Sequence, residues 1–271
     1  MKLDLIFYQN NAHAFAFMEV HLKRLTAQFF LIVLVCCAAI PAMAQDERKE
    51  EKYVANFKYT PPKQNTPTVK TNVTFAIANV IYKNSNNGKF TSEQFSKLPG
   101  ALQQDIARIL EAKGFGVRGP YESYDLIPYQ DKKGVDFLLV PYIELSVEAK
   151  DIKEDLESFW AWQSPTLQTG NAVVTGKLTI ELREIFTREL MWVKNIPFKD
   201  TTTPFTIVVP WEAAQHEVKR PYAYDPILNV SAKALEENYP DIMATFYNLV
   251  DPEEMAVIKK QAQELRSKKG Y

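Results

Sequence analysis

Residue types able to do covalent or metal chemistry are scarce in this chain, and their positions narrow the options further. Cys36 and Cys37 adjoin each other inside the apolar stretch "LIVLVCCAAI", and His216 is the only histidine beyond residue 21. One histidine without a cysteine elsewhere cannot build a thiol–imidazole pair or a histidine-rich zinc site. No nucleophile elbow, Walker A loop or dinucleotide fingerprint occurs. In "GFGVRGP", residues 114–120, the glycines stand at the wrong steps for a phosphate loop, and the segment reads as a helix stop and turn. Carboxylates gather in "KDIKEDLES", where Asp151, Glu154, Asp155 and Glu157 could bind calcium or hydrolyse a glycoside. Lys150 and Lys153 lie among them and no calcium-loop spacing appears, so the expectation is a solvated turn or loop. A non-enzymatic protein without a cofactor or metal is the reading, and a carboxylate-dependent carbohydrate-active enzyme is the weakest alternative.

Aromatic side chains carry more of the argument. "ESFWAWQSPTLQTG" places Phe159, Trp160 and Trp162 among Ser, Pro, Thr and Gly, and Trp211 follows the strand-like "FTIVVP". Each such ring covers ~150–250 Å², so three facing outward would present ~450–750 Å², an area typical of interaction sites. The ligand would be a glycan stacked on the indoles, a partner protein or a lipid surface. The competing reading folds these rings back as a satellite core. Tyr222 and Tyr224 share that ambiguity, whereas Trp192 in "LMWVKNI" is expected in the core.

The elements that must position these residues follow from periodicity. "VTFAIANVIY", residues 73–82, is a strand, and Phe95, Leu98, Leu102, Ile106 and Ile109 mark one face of a helix that Gly114 ends. Pro99 predicts either a kink or a helix that begins there. "VDFLLVPYIELSVEA", residues 135–149, alternates as a long strand in which Pro141 predicts an edge or a bulge. "NAVVTGKLTIELREIF" and "RELMWVKNIPF" form a hairpin through "TREL", and "FTIVVPW" adds a short strand. Two helices close the chain, one interrupted at Pro240 and one opening on a capping box of Asp251, Pro252 and Glu254. The fold class is therefore α+β: a mostly antiparallel sheet with helices packed on one side, a strand–helix–strand opening and a helical C-terminus.

Upstream, Lys23 and Arg24 precede an apolar run of Phe29–Ile40 and the small-x-small triplet Ala42-Met43-Ala44. Twelve helical residues reach ~18 Å against ~30 Å of bilayer hydrocarbon, so this is an export signal rather than a membrane span. Residues 1–44 are expected to be cleaved, with Met18 an alternative start that would make residues 1–17 an over-extended frame. Neither cysteine follows Gly, Ala or Ser, so lipidation is disfavoured. The body then holds no cysteine, which suits an exported bacterial protein that is periplasmic, outer-membrane-associated or secreted. Residues 45–72, charged and then rich in Pro and Thr, are expected to be a mobile or extended leader, and residues 73–271 a single domain. A formal net charge of −1 argues against nucleic acid as partner. No second long apolar run follows, and nothing fixes an oligomeric state.

In "QQDIARILEAKGFGV", "GVDFLLVPYIELSVEAK" and "DIMATFYNLVDPEEMAVIKKQAQELRSKKG", the chain resembles the neuraminyllactose-binding haemagglutinin family of bacterial adhesin-like envelope proteins over roughly residues 73–270. Its strand–helix–strand opening is also similar to N-terminal modules of envelope assembly proteins of the TolB type. The resemblance implies an adhesin-like binder contacting a glycan or an envelope protein, or a structural module in envelope assembly. Two departures stand out. Family members often carry a lipobox cysteine, and the adhesin's proposed sialic-acid signature, Lys-Arg-Thr-Ile-Gln-Lys, is replaced here by the acidic "EAKDIKEDLESFW". That acidity would repel a sialoside, so no ligand residue is carried over.

Overall fold

The computed structural model describes residues 53–62, 70–83, 92–155, 166–209 and 225–271, all of which fall in one compact unit, Lys52–Tyr271. Alternation builds its sheet. In β4 (Phe137–Asp155), Phe137, Leu139, Ile143, Leu145 and Val147 are buried on one face. They register with Leu182, Leu178 and Val174 of the antiparallel β5 (Thr166–Glu184). Those side chains join one core with the helices α1 (Leu98–Ala112), α3 (Asp225–Leu249) and α4 (Pro252–Lys269). Leu138 and Val140 point the other way, where they meet Ala76, Ala78, Ile127, Val135 and Ile185 in a smaller cluster. The class is α+β, with the three long helices on one face.

The sheet is mixed. Its path runs β3 (Gly116–Tyr121), β1 (Thr74–Ala78), β4, β5, β6 (Leu190–Pro197). β1 is parallel to both β3 and β4, and β2 (Ile81–Tyr82) is parallel to β4. β6 and β7 (Thr201–Val209) both pair antiparallel with β5, one along each half of its length. By length the antiparallel ladders dominate.

Several expectations change. The predicted strand 73–82 is broken into β1 and β2. β3 was unexpected: "GVRGPY" has little strand character, yet its backbone pairs along β1, and Gly116 sits where a Cβ would approach Thr74 Oγ1 to 2.7 Å. Residues 150–155 are strand rather than a turn or loop, with a register shift between Lys150 and Lys153 and a left-handed Asp151 (φ 54°) absorbing the irregularity. Pro141 lies in an interior strand, but on one side it falls where the partner changes from β1 to β2, so no ladder bond is lost there. Pro99 stands in the first turn of α1, Gly114 ends that helix at φ 85°, and α3 runs unbroken through Pro240. A short helix α2 (Tyr129–Lys133) covers the far face of the sheet.

Within the stretch expected to be a leader, Ala55, Phe57 and Tyr59 are buried in the main core. Core residues thus begin well before residue 73. Asp105 fixes this segment. Its Oδ2 accepts from the Tyr59 backbone N–H (3.0 Å) and the Tyr239 hydroxyl (2.9 Å), while Oδ1 accepts from Arg108 (3.0 Å). A buried carboxylate is tolerated because all three donors converge on it.

Candidate functional site

Phe159, Trp160 and Trp162 lie in residues 156–165, and Trp211, His216, Tyr222 and Tyr224 in residues 210–224, all outside the described residues. Residues 1–44, on which the export reading rests, are outside them too. The sheet does fix where the two aromatic segments attach. Asp155 registers with Leu167, and Thr166 with Val209. The chain therefore enters the first segment, leaves it and enters the second at adjacent positions on one end of a three-stranded ribbon.

Two of the carboxylates considered for catalysis, Asp151 and Glu154, lie on that ribbon and are each paired with a side-chain amide of β5. Asp151 accepts from Asn171 Nδ2 (3.2 Å) and Glu154 from Gln168 Nε2 (2.6 Å), both on the exposed surface. Among the described residues, no three His, Cys, Asp or Glu side chains are grouped to hold a metal. Nearer the base of the same strands, Glu181 is held by Arg183 (2.7 Å) and Lys83 (3.4 Å). Partial burial alone would raise its pKa, but the bonds from these two cations bring it below the ordinary carboxylate value. Lys83 also sits 3.7 Å from the ring centroid of Tyr142. These are paired, partly solvated charges on a sheet face. Trp192 is buried as expected, its Nε1 donating to Glu254 Oε1 (3.0 Å). Glu254 therefore serves the sheet. The cap of α4 is made by Asp251 Oδ1 accepting from the Glu253 N–H (3.0 Å).

An aromatic surface at the opposite end of the ribbon lies wholly within the described residues. Ile127 and Val135 anchor the two sides of α2 in the smaller core cluster, leaving Tyr129 64% exposed and Leu126 61% exposed. Glu184, wholly buried at the end of β5, accepts the N–H groups of Phe186 (2.9 Å) and Thr187 and binds Arg266 from α4. This shapes the turn that presents Phe186. The Phe186 ring stacks on Tyr271 (6.1 Å between centroids, 26° between planes) and meets Tyr129 edge-on (6.4 Å, 72°). Tyr271 is 70% exposed. Cations crowd the rings: Lys132 and Arg188 lie 3.9 and 3.7 Å from the Tyr124 centroid, and Lys133 lies 4.9 Å from that of Tyr129. Sequence reasoning missed this patch because its rings come from positions 129, 186 and 271, with no shared local pattern.

Compared with known proteins, the sequence matches no family model, and no curated protein matches it. Solved structures do match. The fold is similar to that of a neuraminyllactose-binding hemagglutinin homolog from Helicobacter pylori, at 14% identity and a TM-score of 0.51, covering 78% of this chain and 99% of that one. A protein from Xanthomonas campestris aligns over 79% of this chain and 98% of its own at 12% identity and a TM-score of 0.31. A lipoprotein from Neisseria meningitidis aligns over 61% and 97% at 11% identity and a TM-score of 0.19. The relationship to the hemagglutinin homolog is a distant one, at the level of fold. Among the described residues, no helix is long and apolar enough to cross a membrane.

Proposed function

We propose that this chain is a non-enzymatic, adhesin-like binding protein of the bacterial envelope. It is exported by its N-terminal segment and engages a glycan or a protein partner through Phe159, Trp160, Trp162 and Trp211. The observation carrying this reading is the convergence of Asp155, Thr166 and Val209, which attaches both aromatic segments to one end of a rigid ribbon. Aromatic rings held by a strand scaffold suit stacking on sugar C–H faces or filling a protein pocket. The fold-level likeness to a hemagglutinin homolog agrees with a binding role. Replacing Trp160 and Trp162 together with alanine is expected to abolish signal on a glycan array or with a captured partner while changing Tm little. A large drop in Tm would instead assign the rings to the core.

The Tyr129–Phe186–Tyr271 patch favours a second reading, a module that docks another envelope component. Deleting α4 cannot test it, because Met255, Ile258 and Ala262 are core residues. Replacing Tyr129 and Tyr271 with serine can. Loss of one defined partner from envelope pull-downs, with the fold intact, supports docking, and an unchanged partner set refutes it.

A further inference from the structure

Beside the point where the extended N-terminal segment meets α1 lies a cleft of about 400 Å³. Its walls are Asn56 and Lys58 on one side and Lys97, Gly100, Gln104 and Arg108 on the other, with Phe57, Ala101 and Asp105 beneath. Three cations thus face one concavity from two parts of the chain about forty residues or more apart. Asp105 is the sole carboxylate among these lining residues, and it is consumed by the Tyr59 N–H, the Tyr239 hydroxyl and Arg108. It cancels one positive charge and, among the described residues, leaves about two unmet.

We propose that this cleft binds a phosphate monoester carried on a small polar molecule. A dianion matches the uncompensated charge, whereas a single carboxylate would not. One guanidinium nitrogen of Arg108 is taken by Asp105 Oδ1 (3.0 Å). The remaining donors of its planar fork suit two phosphate oxygens, with Lys58 and Lys97 supplying point charge. Asn56 and Gln104, both exposed, offer amide donors and acceptors for hydroxyl groups. The volume is in the range of small-ligand sites, ~300–1,000 Å³.

Gly100 supplies the decisive variant. A Cβ built there meets nothing within 4 Å, so a side chain enters the cleft without displacing protein atoms. Gly100→Glu places a carboxylate among the three cations and suits the first turn of a helix, so the fold is expected to hold. The full-length protein is titrated calorimetrically at low salt with glucose 6-phosphate, glucose, glucuronate and inorganic phosphate. The expected result is binding of the phosphate compounds at least tenfold tighter than of glucuronate, with none for glucose. Lys58→Gln with Lys97→Gln is expected to weaken binding at least tenfold, Gly100→Glu to abolish it and Gly100→Ala to leave it unchanged, all at unaltered Tm. A parallel arm with phosphatidic acid vesicles distinguishes sources: binding there but not to glucose 6-phosphate assigns a lipid headgroup, the reverse a soluble ester. No binding of any phosphate in either arm overturns the proposal. Equal affinity for glucuronate, or binding that survives Gly100→Glu, does so as well.

Discussion

Replacing Arg266 with methionine would strip Glu184 of its one charged partner among the described residues while keeping most of the apolar stem volume. Glu184 is wholly inaccessible to solvent, and Arg266 is 20% exposed at its side chain. The guanidinium also donates to the Asp136 carbonyl (3.0 Å) and lies 4.9 Å from the Phe186 ring centroid. Leaving a buried charge unpaired costs about 3–5 kcal/mol. For a domain of this size that corresponds to a fall in Tm of about 6–20 °C, at roughly 2–4 °C per kcal/mol. Glu184→Gln is milder, about 1–2 kcal/mol, because an amide oxygen still accepts from Phe186 and Thr187 and the freed arginine reaches water. The pair should be coupled by about 1–3 kcal/mol in a double-mutant cycle. Urea denaturation followed by far-UV circular dichroism measures all four corners. A loss below about 1 kcal/mol in Arg266→Met, with additive effects, would refute the reasoning and show that Glu184 needs no partner to stay buried.

Asp105→Asn removes the charge that three donors share, and about 2–4 kcal/mol of stability should go with it. Hydrogen exchange should rise first at Tyr59 and its neighbours, and protection unchanged at residues 53–62 would contradict the latch. Raising the pH from 10 towards 12 should destabilise the protein, because burial pushes the Tyr82 hydroxyl up to about 12 and burial with Asp105 raises Tyr239 further. The folded state keeps phenolic protons that unfolded tyrosines lose above about 10, so stability is full below that point and declines above it. Denaturant midpoints across this window check the sign, and Tyr82→Phe should flatten the decline. Gly116→Ala, whose new methyl would approach Thr74 Oγ1 to 2.7 Å, should cost about 1–3 kcal/mol, recovered in part by adding Thr74→Ala, which removes that oxygen.

Much of the framework was legible wherever one face of an element is buried and the other wet. The stripe of Leu98, Leu102, Ile106 and Ile109 marked α1, and the odd-numbered residues of β4 declared their face. What escaped notice lacked that contrast. β3 offers Gly, Arg and Pro, and it exists because β1 presents a backbone to pair with, a long-range condition no local window contains. The Ala55, Phe57 and Tyr59 alternation was visible, but it sits between a charged run and a Pro–Thr tract that signal disorder. The Phe186 patch is assembled by tertiary packing alone. For the predicted contact residues, the sequence supplied composition, and the described fold adds only their points of attachment.

β5 spans the whole ribbon, from Thr166 beside the aromatic segments to Glu184 beneath α4, and is paired along both sides. A bound surface tugging on that far tip would load the strand lengthwise, so the ladders to its neighbours would be sheared together rather than unzipped one bond at a time. The Glu184–Arg266 anchor sits at the other end of the same covalent line. A tether under flow or traction would thus be resisted by the strand and its helix mooring acting as a single mechanical element.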